Sequence, residues 1–308
     1  MRRLTVFLVA LAISLPTSYL HARKKPVTVI ITAGQSNTDG RVSNDDLPSY
    51  IKENGYSYCK WSYGSDTLSG GGRFTPFWPR VFKQDNTNKW GFDAIVYYLF
   101  EKSLRSDFYV IKESLGGTAI DTHCSSNNGM YWSADKDFLA STSASDKGGK
   151  SLLKAFTENI GSCIDNVLSH EKNGYQIKAF LWHQGESDKK MADNYYDNLK
   201  AVVSCVRDYL VEKTGDERYR HLPFVCGTFS RDSRDRSEVI VSALYKLEAE
   251  DENFHVVDIS DGSLLSDRLH FDAKGAERLG MRMFNELIKI KVVSTRNKEV
   301  INLLRNSQ

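Results

Sequence analysis

Hydrophobic positions along the chain fall into two alternating kinds of run. Short β-branched or aromatic stretches at 27–32, 108–111, 177–182, 224–228 and 254–259 read as buried strands. Between them, apolar residues recur at helical spacing. In 90–105 they are Phe92, Ile95, Val96, Leu99 and Phe100; in 151–168 they are Leu152, Leu153, Phe156, Ile160, Ile164 and Val167. The same spacing predicts helices over 194–211, 238–249 and 272–290, the last with Asp272 as N-cap. Strands alternating with helices predict an α/β fold, a five-stranded parallel sheet covered on both faces. Right-handed crossovers then place every loop that follows a strand on one rim. No internal repeat or linker interrupts the pattern, so residues 23–308 read as one domain.

Two stretches break the rhythm. Residues 38–89 are rich in Gly, Ser, Asp and aromatics and read as one long loop without regular structure, a feature that usually serves function. Its Gly70-Gly71-Gly72 lacks the Gly-Lys-Ser/Thr ending of a phosphate loop and reads as a turn. A second long loop, 123–150, carries Met130-Tyr131-Trp132. The basic tail, 291–308, mixes Arg, Lys and Asn with Ile301, Leu303 and Leu304, which fits either a short packed helix or irregular chain.

Composition narrows the setting. A chain of 308 residues, 41% hydrophobic, can bury a substantial core. Its net charge of +2 comes from interspersed acids and bases, which argues against a nucleic-acid partner. Residues 1–22 have the pattern of a signal peptide: Arg2-Arg3, an apolar run over 4–15 broken by Pro16, and small or polar residues ending at His21-Ala22. Leu20 is larger than usual for the position three before the cut. The apolar run is short for a membrane span, so the expectation is a secreted or periplasmic protein with no span after cleavage. Five cysteines are an odd number. Cys163, Cys205 and Cys226 fall in apolar patterns as small core residues, while Cys59 and Cys124 fall in loops where export permits a bridge.

Candidate chemistry gathers at the strand ends. The first strand runs through Ala33-Gly34 into Gln35-Ser36-Asn37, and a serine there is lifted to the carboxyl edge of the sheet, where open α/β folds place ligands. Gln35 and Asn37 are expected to be local supports of that turn. The second strand runs into Gly116-Gly117-Thr118, the third into His183-Gln184-Gly185-Glu186-Ser187-Asp188, and beyond the fifth comes Asp267-Arg268-Leu269-His270. Acyl transfer needs a nucleophile, a base, an acid to orient the base and donors for an oxyanion. Ser36 suits the first role, His270 the second and Asp267 the third, with Asp258 and Asp261 as other orienters. The Gln184 amide and the N–H groups of Ser36 and Gly117 suit the fourth role. Glu186 and Asp188 are expected to hold loops. His183 and Glu186 have no third ligand at a fitting spacing, so neither a metal nor another cofactor is expected. His255 reads as structural, and His123 stays open as a substrate contact. Trp78 and Trp132 read either as substrate-stacking walls of the long loops or as core anchors for them.

Taken together, Gly34-Gln35-Ser36-Asn37, Gly116-Gly117-Thr118, His183-Gln184-Gly185-Glu186-Ser187-Asp188 and Asp267-Arg268-Leu269-His270 resemble the four blocks of SGNH hydrolases. More narrowly, they resemble the branch with sialate O-acetylesterases and family 6 acetylxylan esterases. In that branch a Gly-Gln-Ser block replaces Gly-Asp-Ser and a His-Gln-Gly-Glu block replaces an Asn-containing one. The resemblance implies a flavodoxin-like three-layer α/β/α sandwich and metal-free hydrolysis of O-acetyl esters on sugars. It implies Ser36 as nucleophile, His270 as base and Asp267 as orienter, with Gln184 and the Ser36 and Gly117 amides at the oxyanion. It leaves open whether Gly116 or Gly117 donates. The α/β-hydrolase elbow Gly-x-Ser-x-Gly is absent, since Asn37-Thr38 follows Ser36. The expected activity is a serine carboxylic-ester hydrolase, a carbohydrate O-acetylesterase acting on an acetylated carbohydrate. The rivals are a serine esterase of other substrates and an inactive glycan-binding protein on the same fold.

Overall fold

A computed structural model describes residues 25–64, 70–81 and 88–306. The leader expected over 1–22 lies outside the described residues. β1 (Val27–Gly34) runs into the one-turn helix α1 (Ser36–Asp39). Next come β2 (Val42–Ser43), α2 (Ser49–Asn54), β3 (Cys59–Tyr63), β4 (Thr75–Pro76) and β5 (Lys89–Trp90), of which β2 and β5 form a separate two-stranded ribbon. α3 (Phe92–Leu104), β6 (Phe108–Ser114), the short α4 (Lys136–Ser141) and α5 (Leu152–Asn166) follow. The chain then alternates through β7 (Tyr175–His183), α6 (Tyr195–Thr214), β8 (Phe224–Gly227), α7 (Glu238–Glu250) and β9 (Phe254–Val257). It closes with α8 (Ala273–Lys289) and α9 (Lys298–Asn306).

The main sheet has the order β4-β3-β6-β1-β7-β8-β9, with β4 antiparallel and every other strand parallel. All five expected strands are there. The sheet is seven-stranded and not five-stranded because the stretch read as one long loop contributes β3 and β4. In β3, Cys59, Trp61 and Tyr63 alternate with Lys60 and Ser62 and bury their side chains on the α3 face. Glu101 of α3, itself buried, holds the entry to β3 by accepting the successive backbone N–H groups of Ser57, Tyr58 (2.9 Å) and Cys59 (2.9 Å).

Side-chain alternation along each strand divides the interior in two. Val29, Ile31 and Ala33 of β1 face α5, α6 and α7, while Ile30 faces α3 and α8. β7 keeps this division through a bulge: Val29 pairs with Ile177 and Ile30 with Ala179, leaving Lys178 over. After it, Phe180 and Trp182 face the α5–α6 side and Ala179 and Leu181 the other. The helices start where their side chains cap them: Ser151, Ser237 and Asp272 accept from Lys154, Ile240 and Gly275 N–H at 3.1, 3.4 and 2.8 Å. Within the tail, α9 forms the packed helix: Val300 is fully buried and Tyr98 donates its hydroxyl to Glu299 at 2.8 Å.

All five cysteines are free thiols. Cys59 lies in β3, not in a loop, and Cys124 is buried. Among the described residues no helix is long and apolar enough to cross a membrane.

β1 is flanked by β6 and β7, and from β1 the sheet grows outward in both directions. Such a reversal opens a crevice at the carboxyl ends of the strands on either side of it. The loops after β1, β6 and β7 enter that crevice.

Candidate active site

Ser36 begins α1, two residues after the end of β1. The turn that lifts it needs Gly34. That residue sits at φ +150°, and a Cβ on it would stand 2.2 Å from the His183 carbonyl oxygen and 2.4 Å from Thr38 Oγ1. The same His183 carbonyl accepts the Gln35 N–H at 3.0 Å and the Thr38 hydroxyl at 3.0 Å, which ties the ends of β1 and β7 together.

Gln35 and Asn37 do more than support the turn locally. Gln35 Oε1 accepts the backbone N–H groups of Gly185 (3.2 Å) and Ser187 (3.4 Å). Asn37 Nδ2 donates to Glu186 Oε1 at 2.8 Å, and Asn37 Oδ1 accepts from the Phe271 N–H at 3.0 Å. This last bond joins the residue after Ser36 to the residue after His270.

The Asp267–His270 turn is built around the aspartate. Asp267 Oδ1 accepts the Leu269 and His270 N–H groups at 2.9 and 3.0 Å, and Oδ2 accepts from His270 Nδ1 at 2.6 Å. Arg268 closes the turn in the left-handed region, φ +53°. Burial works to raise the Asp267 carboxyl, but the two amides and the imidazole outweigh it and hold the group below the usual aspartate range. With Nδ1–H on Asp267, Nε2 is the ring nitrogen free to take a proton. The other two candidate orienters are held elsewhere, Asp258 by Thr228 and Ser260 and Asp261 by Arg278 and Arg282.

On the β6 side, Gly117 is exposed at φ +71° while Gly116 is buried. Both of their carbonyls are taken by Asn127: its Nδ2 donates to Gly116 O at 2.9 Å and its N–H to Gly117 O at 2.8 Å. Gln184 differs from the expectation. Its Nε2 donates to Thr118 O (3.1 Å) and to Asp188 Oδ2, and Tyr195 donates to its Oε1 at 3.2 Å. Buried beside a carboxylate, the amide spends both protons inside the protein. The backbone N–H groups of Ser36 and Gly117 have no acceptor among the described residues.

Asp188 fastens the Gly117 loop, accepting the N–H groups of Ile120 (3.0 Å) and Asp121 (2.8 Å) besides Gln184. Burial raises its carboxyl to about 6 in spite of these donors. The folded value then lies above the unfolded one of about 3.9, so the native state holds the extra proton between them. Its contribution to stability is full below about pH 4 and is lost as pH rises through about 6. In urea titrations, the stability of wild type relative to Asp188→Asn is expected to fall by roughly 2–3 kcal/mol between pH 4 and 7. A pH-independent difference would contradict this.

His183 is fully buried, its Nε2–H donating to Thr228 O at 3.0 Å. Among the described residues no group of three or more His, Cys, Asp or Glu is arranged to hold a metal. His123 is exposed and turns Nδ1 to Asp121 Oδ1 at 2.9 Å. Its neighbour Asp121 is held below the usual range: burial opposes this, but Asn194, His123 and Asn198 donate to it.

The two tryptophans expected as walls do not form them. Trp132 has no exposed surface; it packs edge-on against Trp182 at 5.2 Å and donates Nε1–H to Thr118 Oγ1 at 3.1 Å. It is the core anchor of its loop. Trp78 is 44% exposed but stands at the wrong end of the sheet. Lys60 pairs with Pro76 and the Phe77 N–H donates to Cys59 O at 2.9 Å, so Trp78 lies beside the entry to β3. The Ser36 rim meets the other end of that strand, where Tyr63 donates to Asp39 at 2.5 Å, about 13 Å further along. Trp78→Ala is expected to leave kcat/KM on an acetyl ester within about twofold of wild type. Trp132→Ala is expected to cost about 3–5 kcal/mol in urea unfolding.

Residues 110–289, more than half of the chain, match the family described as carbohydrate esterase, sialic acid-specific acetylesterase. The match takes in the Gly116–Gly117, His183–Asp188 and Asp267–His270 blocks and begins after Ser36. No curated protein matches the sequence. Among solved structures, a protein from Arabidopsis thaliana superposes with a TM-score of 0.60 at 17% identity, over 86% of this chain and 99% of its own. NanS does so at 0.59 and 13% identity, over 86% and 98%. A carbohydrate acetylesterase from Xanthomonas citri gives 0.52 and 14% identity, over 82% of this chain and 55% of its own. These similarities establish a shared fold.

Proposed function

Because the chain belongs to the sialic acid-specific acetylesterase family of carbohydrate esterases, we propose that it removes acetyl groups from O-acetylated sugars through a serine acyl-enzyme. The observation that supports the reading is a hydrogen bond between the turns that carry Ser36 and His270. The Phe271 N–H donates to Asn37 Oδ1, which links the residue after Ser36 to the residue after His270, and Asp267 takes His270 Nδ1, leaving Nε2 for the proton.

Ser36 Oγ attacks the acetyl carbonyl carbon as His270 Nε2 takes its proton. Negative charge on the carbonyl oxygen is met by the N–H groups of Ser36 and Gly117, with Gln184 bracing the Gly117 loop behind them. The bond from carbon to the sugar oxygen breaks, and the His270 proton passes to that oxygen. Water then attacks acetyl-Ser36, giving its proton to His270; acetate leaves and the serine is restored. The signal-like pattern of residues 1–22 supports a polysaccharide or sialoside outside the cell as the substrate.

The test is to offer the mature protein acetylated xylan, O-acetylated sialic acid, and p-nitrophenyl esters of short and long acyl chains. Acetate release from at least one glycan, with acetyl preferred over long acyl groups, is the expected result. Faster cleavage of long acyl esters would reassign the enzyme to non-carbohydrate substrates. Glycan binding without acetate release would make it a binding protein on a hydrolase fold.

A further inference from the structure

A buried series of polar groups runs from Thr228 through His183, Glu186 and Asn37 to the backbone beside His270. Thr228 O accepts from His183 Nε2 at 3.0 Å, and a carbonyl can only accept, so Nε2 carries the proton. His183 Nδ1 faces Glu186 Oε1 at 3.7 Å. Glu186 Oε1 takes the Asn37 amide at 2.8 Å, and Asn37 Oδ1 takes the Phe271 N–H at 3.0 Å. The imidazole of His183 sits among the rings of Phe92, Phe229 and Phe271, with centroids at 6.2, 5.6 and 5.5 Å.

Two atoms in this series are buried without a hydrogen-bond partner, His183 Nδ1 and Glu186 Oε2. Leaving such groups unpaired costs stability. His183 ends β7 and Glu186 stands in the loop after it, tied to the Ser36 turn through Asn37. Asn37, the residue after Ser36, hydrogen-bonds both the Glu186 carboxylate and the backbone of the His270 turn. Its amide has one donor group and one acceptor, each committed to a different loop. If either bond is lost, the Ser36 turn and the His270 turn are free to move relative to each other.

We propose that Asn37 and Glu186 are positioning residues: the Glu186 carboxylate orients the Asn37 amide, and that amide sets the separation of Ser36 from His270. Neither touches substrate. The role is geometric, so it needs an acceptor at Glu186 Oε1 and not a negative charge. A glutamine at 186 would still accept from Asn37 through its Oε1, and its NH₂ would take the place of Glu186 Oε2, which has no hydrogen-bond partner.

The proposal rests on Ser36 and His270 being the reacting pair, and p-nitrophenyl acetate tests it without any sugar. kcat and KM are measured for Asn37→Ala, Glu186→Ala, Glu186→Gln and the double variant Asn37→Ala/Glu186→Ala, with thermal unfolding alongside. Misplacement by an ångström can cost about 100-fold, so Asn37→Ala is expected to lose about that in kcat with KM within about threefold. Glu186→Ala is expected to lose roughly 30-fold, Glu186→Gln to stay within about threefold of wild type, and the double variant to match Asn37→Ala. Glu186→Gln as slow as Glu186→Ala would overturn the proposal, and so would losses that multiply in the double variant. If Asn37→Ala does not fold, the two Glu186 variants decide the matter between them. Turnover of p-nitrophenyl acetate without release of sugar acetate would correct the substrate and leave this test standing. A Ser36→Ala chain as fast as wild type would overturn both readings.

Discussion

Ser36→Ala is expected to lower kcat for acetate release by about 10⁴-fold or more, with the folded state intact. The reasoning is local. The Ser36 hydroxyl belongs to a one-turn helix whose backbone is held by other groups: Gln35 N–H on His183 O, Gly40 N–H on Ser36 O, and the Gln35 and Asn37 side chains on the β7 loop. Removing one oxygen leaves all of them in place, so the melting temperature should barely change while the acyl-enzyme step is lost. His270 and the two oxyanion amides would remain, and the residual rate is what they supply toward direct attack by water. Steady-state assays on an acetyl ester, with circular dichroism as the control for folding, check it. Retention of a tenth or more of wild-type kcat would exclude Ser36 as nucleophile.

Gly34→Ala is expected to be severely damaging for a single added methyl group. The new Cβ would lie 2.2 Å from a backbone oxygen of β7 in a conformation, φ +150°, that L side chains rarely adopt. Neither neighbour is the far end of a flexible side chain: the His183 carbonyl belongs to the sheet and Thr38 Oγ1 is bonded to it. Backbone strain and overpacking together cost on the order of 3–5 kcal/mol. Relief requires β1 and β7 to separate at their carboxyl ends, the place where Ser36 is presented. The variant should therefore unfold at clearly lower urea and lose activity even where it is folded. A urea midpoint within error of wild type would contradict the account.

Much of this was legible in the sequence because the fold declares itself through periodicity. Each of the five expected strands and five expected helices carries an unbroken apolar rhythm, and the cap Asp272 marks where the last of those helices begins. β3 was hidden by its surroundings: five residues of clean alternation, Cys59 to Tyr63, stand inside a stretch dominated by Gly, Ser and Asp. The alternation was the available signal, and the polar flanks obscured it. β4, at two residues, has no signal of its own and exists through its pairing with β3.

At the site, residue types and order pointed to Ser36, Asp267 and His270, since each ends or follows a strand. Partner choice was less legible. Nothing in the sequence places the Gln184 amide against Asp188 in preference to open space, because that depends on how the 183–188 turn folds back on itself. Trp132 and Trp78 look alike as aromatics in long loops, yet one fills the core and the other lies at the far end of β3. Asn37 gave the least warning, with hydrogen-bond partners 149 and 234 residues away.

The central claim is that Ser36 carries the acetyl group between sugar and water. Rapid acid quench of the enzyme during turnover of an O-acetylated sugar, followed by proteolysis and tandem mass spectrometry, reads this directly. The expected result is an acetyl adduct on Ser36 that is absent from Ser36→Ala and decays as acetate appears. Acetate released at full rate by Ser36→Ala, with no adduct on Ser36 in the wild type, would contradict it.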